Sequence, residues 1–274
     1  MAKGDLEALE LRLLLDAVYH HYGYDFRGYA RTSLKRRIWR RITEEGLETV
    51  SGLQERILHD PDVLERLLVD FSINVTSMFR DPTFFCALRE TVVPMLKTYP
   101  FVRIWNAGCS TGEETYSLAI VLREEGLADR ARIYATDING EVLRRAKEGV
   151  FPVERMKDYT RDYIKAGGTA SFSDYYKTYG DVVRFDPTLA DNVVFAQHNL
   201  VSDGSFNEFN LIVCRNVMIY FDRALQDKVH ELFYDSLVRF GILALGHKET
   251  IRFTGHADDY AELDSQEKLY RRLA

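Results

Sequence analysis

Ala107-Gly108-Cys109-Ser110-Thr111-Gly112-Glu113-Glu114 is the stretch whose residue types and spacing are best suited to chemistry. Glycine lets a backbone approach a ligand closely, and two carboxylates follow the second glycine at once. A Walker-type phosphate loop needs G-x-x-x-x-G-K-[ST], and the dinucleotide fingerprint is G-x-G-x-x-G; neither pattern is met here. Adjacent carboxylates repel a pyrophosphate. They suit a cationic ligand, or one rich in hydroxyls and amines. Asp137 closes the next apolar run, where a carboxylate can accept both hydroxyls of a ribose. S-adenosylmethionine carries a sulfonium, an ammonium and two ribose hydroxyls, so it matches this donor set. Two plainer readings stand beside that one. Ser110 to Glu113 has capping-box spacing, in which Glu113 satisfies backbone N–H groups. Asp137 or Asn139 can cap the helix that follows.

These residues need a sheet to place them. Val102-Arg103-Ile104-Trp105 is a short apolar strand leading into the glycine turn, and a helix runs on to about Glu125. Arg132 to Asp137 is a second strand, with another helix from about Glu141. Val193 to Ala196 and Leu211 to Cys214 read as further strands. Leu225, Val229, Leu232, Phe233, Leu237 and Phe240 mark an amphipathic helix, followed by strand Ile242 to Leu245. Strands alternating with helices predict a mainly parallel sheet covered on both faces. Residues 151–192 interrupt the alternation with seven Tyr and Phe residues between Tyr159 and Phe185 and a Gly167-Gly168 turn, which predicts a small β-rich insertion. Before Pro100 the chain reads as helices, at about 4–22, 29–45, 62–71 and 83–97. Gly23 and Gly46 stand where C-terminal caps belong, and Pro61 and Pro82 at first turns. The expected domains are therefore 1–98, helical, and 99–274, α/β.

The chain has 274 residues, 46% of them hydrophobic, enough for a sizeable core. A net charge of -6 argues against a general nucleic-acid binder. Three cysteines with no C-x-x-C pair fit free thiols in a reducing compartment. Met1-Ala2-Lys3-Gly4-Asp5 is not a secretory signal, and no apolar run approaches the roughly 20 residues of a membrane helix. The expectation is a cytoplasmic protein without membrane insertion. The histidines form no H-E-x-x-H motif and do not cluster with the cysteines, so no metal is expected.

Four segments together resemble the chemotaxis receptor methyltransferases, the CheR family: Asn74-Val75-Thr76-Ser77-Met78-Phe79-Arg80, Ala107 to Glu114, Ala135-Thr136-Asp137-Ile138, and Cys214-Arg215-Asn216-Val217-Met218-Ile219-Tyr220-Phe221. Their order and spacing match from about residue 10 to the C-terminus. The resemblance implies a small helical domain followed by a Rossmann-like S-adenosylmethionine-dependent methyltransferase domain with an inserted antiparallel β-subdomain. It implies methyl transfer to glutamate side chains on the cytoplasmic helical domain of chemoreceptors, giving γ-methyl esters and S-adenosylhomocysteine. It also implies roles by position. Asn74, Thr76 and Arg80 would close over the cofactor. Gly108, Glu114, Asp137, Asn199, Leu200, Cys214 and Arg215 would line its site, with Asp137 on the ribose. Arg80 and Tyr220 would form the active-site pair. Thr115 departs from the pattern, which usually has proline after the two glutamates.

A glutamate substrate is already anionic at neutral pH. It requires alignment rather than a strong base, and no catalytic triad is expected. The segment from Arg31 to Arg41 holds six basic residues, Arg31, Lys35, Arg36, Arg37, Arg40 and Arg41, with Leu34, Ile38 and Ile42 as its buried stripe. Arg31, Lys35, Arg36 and Arg40 are the candidates for docking an acidic receptor bundle; a solvated helix face balanced by Glu44, Glu45 and Glu48 is the plainer alternative. Two other functions stay open from the residues: a methyltransferase for RNA or a small molecule, and a non-catalytic module that binds cofactor or receptor.

Overall fold

Apolar spacing decides the N-terminal elements. The computed structural model describes residues 3–71 and 76–273. α1 (Lys3–Tyr22) ends at Gly23, whose φ is +81°. α2 (Arg31–Glu44) buries Leu34, Ile38 and Ile42 on one stripe and is closed by Gly46, also at positive φ. α3 (Val50–His59), which sequence reading did not isolate, is capped by Thr49, whose hydroxyl accepts from Gly52 N at 3.0 Å. α4 (Pro61–Phe71) starts on proline and buries Val63, Leu64, Leu67, Leu68 and Phe71. Met1–Ile73 and Tyr220–Val229 make up one compact unit; within it Tyr29 and Phe221 bridge as antiparallel partners, with rings 4.8 Å apart.

Asn74–Ile219 and His230–Ala274 make up the second unit. The helical stretch begun by Pro82 lies here, not with the N-terminal helices as its character suggested. It comprises α5 (Pro82–Ala87), a π-helical turn (Leu88–Val92) and α6 (Val93–Leu96). Phe84, Phe85, Leu88, Val92 and Leu96 share one buried cluster with Ile104, Leu118 and Ile133, so their apolar area belongs to the core of this unit.

The remaining elements follow in chain order: β1 (Val102–Ala107), α7 (Glu113–Glu124), β2 (Ala131–Asp137), α8 (Gly140–Glu148), β3 (Val150–Pro152), α9 (Met156–Lys165), β4 (Tyr176–Tyr179), β5 (Val182–Phe185), β6 (Val193–Gln197), β7 (Phe209–Cys214), α10 (Arg223–Ser236), β8 (Leu237–Leu245), β9 (Tyr260–Asp264) and β10 (Leu269–Arg272); all belong to this unit except the first half of α10, through Val229, which is counted with the helical unit. The seven-stranded sheet has the order β6-β2-β1-β7-β8-β10-β9. The first five strands are parallel, and β10 runs antiparallel to both neighbours. All six residues of β7 are buried, as a strand covered on both faces requires. From β1 the chain proceeds outward through β2 and β6, then returns to lay β7 on the other side of β1. That reversal makes the carboxyl ends of β1 and β7 the topological switch point, the place where sheets of this type bind ligands.

One expected element is corrected. The apolar run from Leu225 to Phe240 is not a single helix: α10 stops at Ser236, and Leu237 opens β8 by pairing with Phe209. The Val-Arg-Phe-Gly-Ile-Leu run that follows has the β-branched and aromatic character of a strand. The insertion holds a three-stranded antiparallel sheet, order β3-β5-β4, and also α9. Its Phe151, Tyr163, Phe172, Tyr175 and Phe185 join the buried cluster of the main sheet. No helix among the described residues is long and apolar enough to cross a membrane.

Candidate functional site

The turn after β1 is built from left-handed backbone. Gly108, Ser110 and Gly112 have φ of +74°, +52° and +95°. A Cβ on Gly108 would lie 2.4 Å from Val217 Cγ2, and one on Gly112 2.9 Å from Ala146 Cβ, so packing as well as φ selects glycine at both. The N–H groups of Gly108 and Cys109 donate to Thr136 O at 2.8 and 2.9 Å, and Ser110 N donates to Asp137 Oδ2 at 2.9 Å. The turn is thereby stitched to the end of β2. These bonds displace the capping-box reading. Ser110 N is taken by Asp137, while the Glu113 carboxylate accepts from the Thr111 hydroxyl at 2.6 Å. Gly112 is the N-cap of α7 and supplies no side-chain bond. Burial pushes the Glu113 carboxyl up, against hydrogen bonding from Thr111.

Asp137 does not cap α8 either. Asn139 does, accepting from Glu141 N at 2.9 Å, and Asp137 Oδ1 accepts from Asn139 N at 3.0 Å. An ionised carboxylate has about four acceptor positions, so the backbone donors Ser110, Asn139 and Ile138 still leave Asp137 some capacity for a ligand's hydroxyl. Burial raises its pKa, opposed by backbone donation from Asn139, Ser110 and Ile138. Its carbonyl accepts from His198 N at 3.1 Å, which fixes the segment after β6 beside the end of β2. Asn199 and Leu200 follow, both buried; Asn199 Oδ1 accepts from Val201 N at 2.9 Å.

Glu114, in the first turn of α7, is held at both oxygens. Asn106 Nδ2 donates to one at 2.8 Å and Arg215 Nη1 to the other at 2.8 Å. Thr115 explains its departure from the family pattern: its hydroxyl donates to Asn106 Oδ1 at 2.6 Å, which orients the Asn106 amide towards Glu114. Arg215 follows buried Cys214 at the end of β7, and burial pushes the Cys214 thiol well up. The Arg215 guanidinium lies over the Phe84 ring at 4.0 Å and also donates to Asp81 Oδ2 at 2.7 Å and to Arg80 O at 3.2 Å. Arg80 is half-buried on a sharp corner, between Phe79 at φ +51° and Asp81 at +55°. Non-glycine residues held this way cost of order 1–3 kcal/mol each, and the corner is held by Phe79 N donating to Ser117 Oγ and by Arg215. Thr76 is half-buried coil just before it; Asn74 lies outside the described residues.

The second unit thus brings together Gly108, Glu114, Asp137, Asn199, Leu200, Cys214 and Arg215 at the strand ends, with the Arg80 corner on Arg215. Sequence reading missed Asn106, Asp81 and Glu249. Asn106 left a signal, a polar residue inside a buried strand. Glu249 left none: the residue is 5% exposed, and its carboxylate accepts from four backbone N–H groups.

Tyr220 belongs to the helical unit. Its carbonyl accepts from Ala30 N at 2.8 Å, and the Arg37 guanidinium lies 5.4 Å from its ring centre. Arg37 is buried and donates to Phe71 O; Arg41 is buried against Asp70. The basic run of α2 therefore divides. Arg37 and Arg41 face inward, while Arg31, Lys35, Arg36 and Arg40 are exposed, with Lys35 paired to Glu7 and Arg40 to Glu44. No group of three or more His, Cys, Asp or Glu among the described residues is placed to hold a metal.

Two family models match this chain: CheR methyltransferase, all-alpha domain, over residues 9–72, and CheR methyltransferase, SAM binding domain, over residues 74–269. The chain belongs to the CheR methyltransferase family. Its sheet unit is an S-adenosylmethionine-binding methyltransferase domain, and the CheR all-alpha domain precedes it. The chain is 48% identical over 265 residues to a Pseudomonas putida protein named as methyltransferase Cher3, covering 96% of this chain and 97% of that one. It is 32% identical to a chemotaxis protein methyltransferase of Listeria monocytogenes, over 84% of this chain and 85% of the relative. It is 30% identical to the chemotaxis protein methyltransferase of Escherichia coli, over 89% and 85%.

Proposed function

We propose that this CheR-family methyltransferase transfers a methyl group from S-adenosylmethionine to glutamate side chains of cytoplasmic chemoreceptor helices, forming γ-methyl esters for sensory adaptation. The observation that carries the reading is the convergence of Glu114, Asp137 and Arg215 at the switch point of a CheR-family sheet. The names of the Listeria and Escherichia relatives supply the chemotactic context.

The donor set fits the cofactor. Asp137 keeps acceptor capacity for a ribose hydroxyl, Glu114 offers a carboxylate for an ammonium, and Asn199 with Leu200 borders the adenine side. When bound, S-adenosylmethionine supplies the electrophilic methyl group and departs as S-adenosylhomocysteine. The protein's own work is positioning. An incoming glutamate is already a carboxylate and needs no base, so the barrier falls through alignment. Arg80 is assigned to an anion, by charge-assisted hydrogen bonds to the substrate carboxylate or to that of the cofactor. Tyr220 is assigned to the methyl-transfer site. Asn74 and Thr76 are assigned to closure over the cofactor, and exposed Arg31, Lys35, Arg36 and Arg40 to docking an acidic receptor bundle.

Incubation with radiolabelled S-adenosylmethionine and receptor-containing membranes tests this directly. Base-labile label on the receptor is expected, at a rate that falls as salt rises. Arg80→Ala and Tyr220→Phe should lower transfer far more than they lower the melting temperature. Label in RNA, or cofactor binding with no transfer to receptor, overturns the proposal.

A further inference from the structure

The loop after β7 forms a backbone anion nest. Asn216 has φ +61°, and the successive N–H groups of Asn216, Val217 and Met218 converge on one carboxylate, that of Glu249, at 2.9, 2.9 and 2.8 Å. Gly246 N, just past the end of β8, adds a fourth bond at 2.7 Å. Each oxygen takes two donors: Asn216 and Gly246 on Oε2, Val217 and Met218 on Oε1. Nests of this kind bind anions, and here the chain supplies its own.

The loop so held touches the cofactor turn twice. Arg215, immediately before it, grips Glu114 at 2.8 Å. The Val217 side chain occupies the space a Cβ on Gly108 would need. We infer that Glu249 is a positioning residue for the methyltransferase site, setting residues 216–218 so that Arg215 and Val217 hold Glu114 and Gly108 in place. The inference rests on the cofactor being bound at this turn, and not on which substrate receives the methyl group.

Charge and shape make the requirement specific. A carboxylate presents acceptors at both ends, whereas glutamine turns an N–H₂ group towards one of the two donor pairs. Gly246 is the other fixed point. A Cβ there would lie 2.7 Å from Glu249 Oε2 and 2.9 Å from Asn216 N, so Gly246→Ala presses on the nest without changing its charge.

The test compares wild type, Glu249→Gln and Gly246→Ala as full chains, by calorimetric binding of S-adenosylhomocysteine and by amide hydrogen exchange. Both variants should weaken binding about tenfold or more, a change of about 1.4 kcal/mol. Faster exchange should be confined to residues 216–218 and 246, with the β1 and β2 amides unchanged. In turnover, KM for S-adenosylmethionine should rise while KM for receptor stays constant. Wild-type affinity in either folded variant overturns the inference, as does local loss of protection without loss of affinity. If Glu249→Gln does not fold, Gly246→Ala decides. Failure of receptor methylation in the wild type would sink the proposed substrate and leave the binding result standing.

Discussion

Arg215 at the end of β7 and Glu114 in the first turn of α7 form an ion pair at 2.8 Å, with the Arg215 side chain only 1% exposed. The same guanidinium holds Asp81 at 2.7 Å, so one fork ties a strand end, a helix start and the corner that presents Arg80. Lysine is a point charge and cannot span these partners. Removing one member of a buried ion pair costs about 3–5 kcal/mol. Arg215→Ala is expected to lower unfolding free energy in urea by that amount. Arg215→Lys should lose less stability and still bind S-adenosylhomocysteine at least tenfold more weakly. A lysine variant with wild-type affinity would show that charge alone suffices.

Thr115 and Asn106 act as one unit. The Thr115 hydroxyl fixes which end of the Asn106 amide meets Glu114, and both residues are buried. Thr115→Val keeps the shape and leaves Asn106 Oδ1 without this donor. An unsatisfied buried acceptor costs about 1–3 kcal/mol, so the melting temperature should drop. Affinity for S-adenosylhomocysteine should fall with it, because Glu114 loses a defined neighbour. A valine variant as stable and as tight as wild type would mean that the pair is dispensable.

The layout of the candidate site was legible in the sequence as far as its parts are local. A glycine turn, the acids after it and an aspartate at the next strand end each follow an apolar run, and the sheet sets those run ends at one switch point. What could not be read was anything that depends on partners distant along the chain. Ser110 and Glu113 have the spacing of a capping box, yet Asp137 takes the amide that the box would use. The basic run of α2 reads as one patch, but burial of Arg37 and Arg41 against Phe71 and Asp70 divides it. Pro82 to Leu96 has plain helical character, and only the buried cluster it shares with Ile104 and Ile133 shows which unit it joins. Glu249 sits in a loop after β8 with no local pattern; its role exists only once β7 and β8 are neighbours.

Asp137 carries a pH dependence whose sign follows from its surroundings. Burial raises its pKa above the ordinary 3.8, despite the backbone donors. Protonation on acidification therefore begins at higher pH than for an exposed aspartate, and a protonated Asp137 loses acceptor capacity for hydroxyls. Affinity for S-adenosylhomocysteine should decline on the acid side before general unfolding sets in. Asp137→Asn should remove that limb and bind about 10–100-fold more weakly at neutral pH, the loss of hydrogen bonds to a charged group at about 1.5–3 kcal/mol. An acid limb that persists in the asparagine variant would assign it to another group.

His256 predicts the opposite slope, in stability rather than binding. Its Nδ1 meets Asp259 Oδ2 and its Nε2 meets Glu231 Oε2, each at 2.8 Å, and its ring stacks on Tyr234 at 3.9 Å. Arg272 lies over the same tyrosine ring at 4.0 Å. Burial works against the charged imidazole, but Asp259 and Glu231 outweigh it, and the pKa is raised. A raised folded pKa means the stabilisation is complete below the unfolded value of about 6.5 and disappears as pH rises through the folded one. Glu231 and Asp259 are 62% and 46% exposed, so screening limits the contribution to about 1 kcal/mol or less. His256→Gln should therefore unfold more easily than wild type at about pH 5.5. The two proteins should converge by about pH 9, where the imidazole is neutral in both states. A stability difference of the same size at both pH values would show that stacking on Tyr234, not charge, is what His256 contributes.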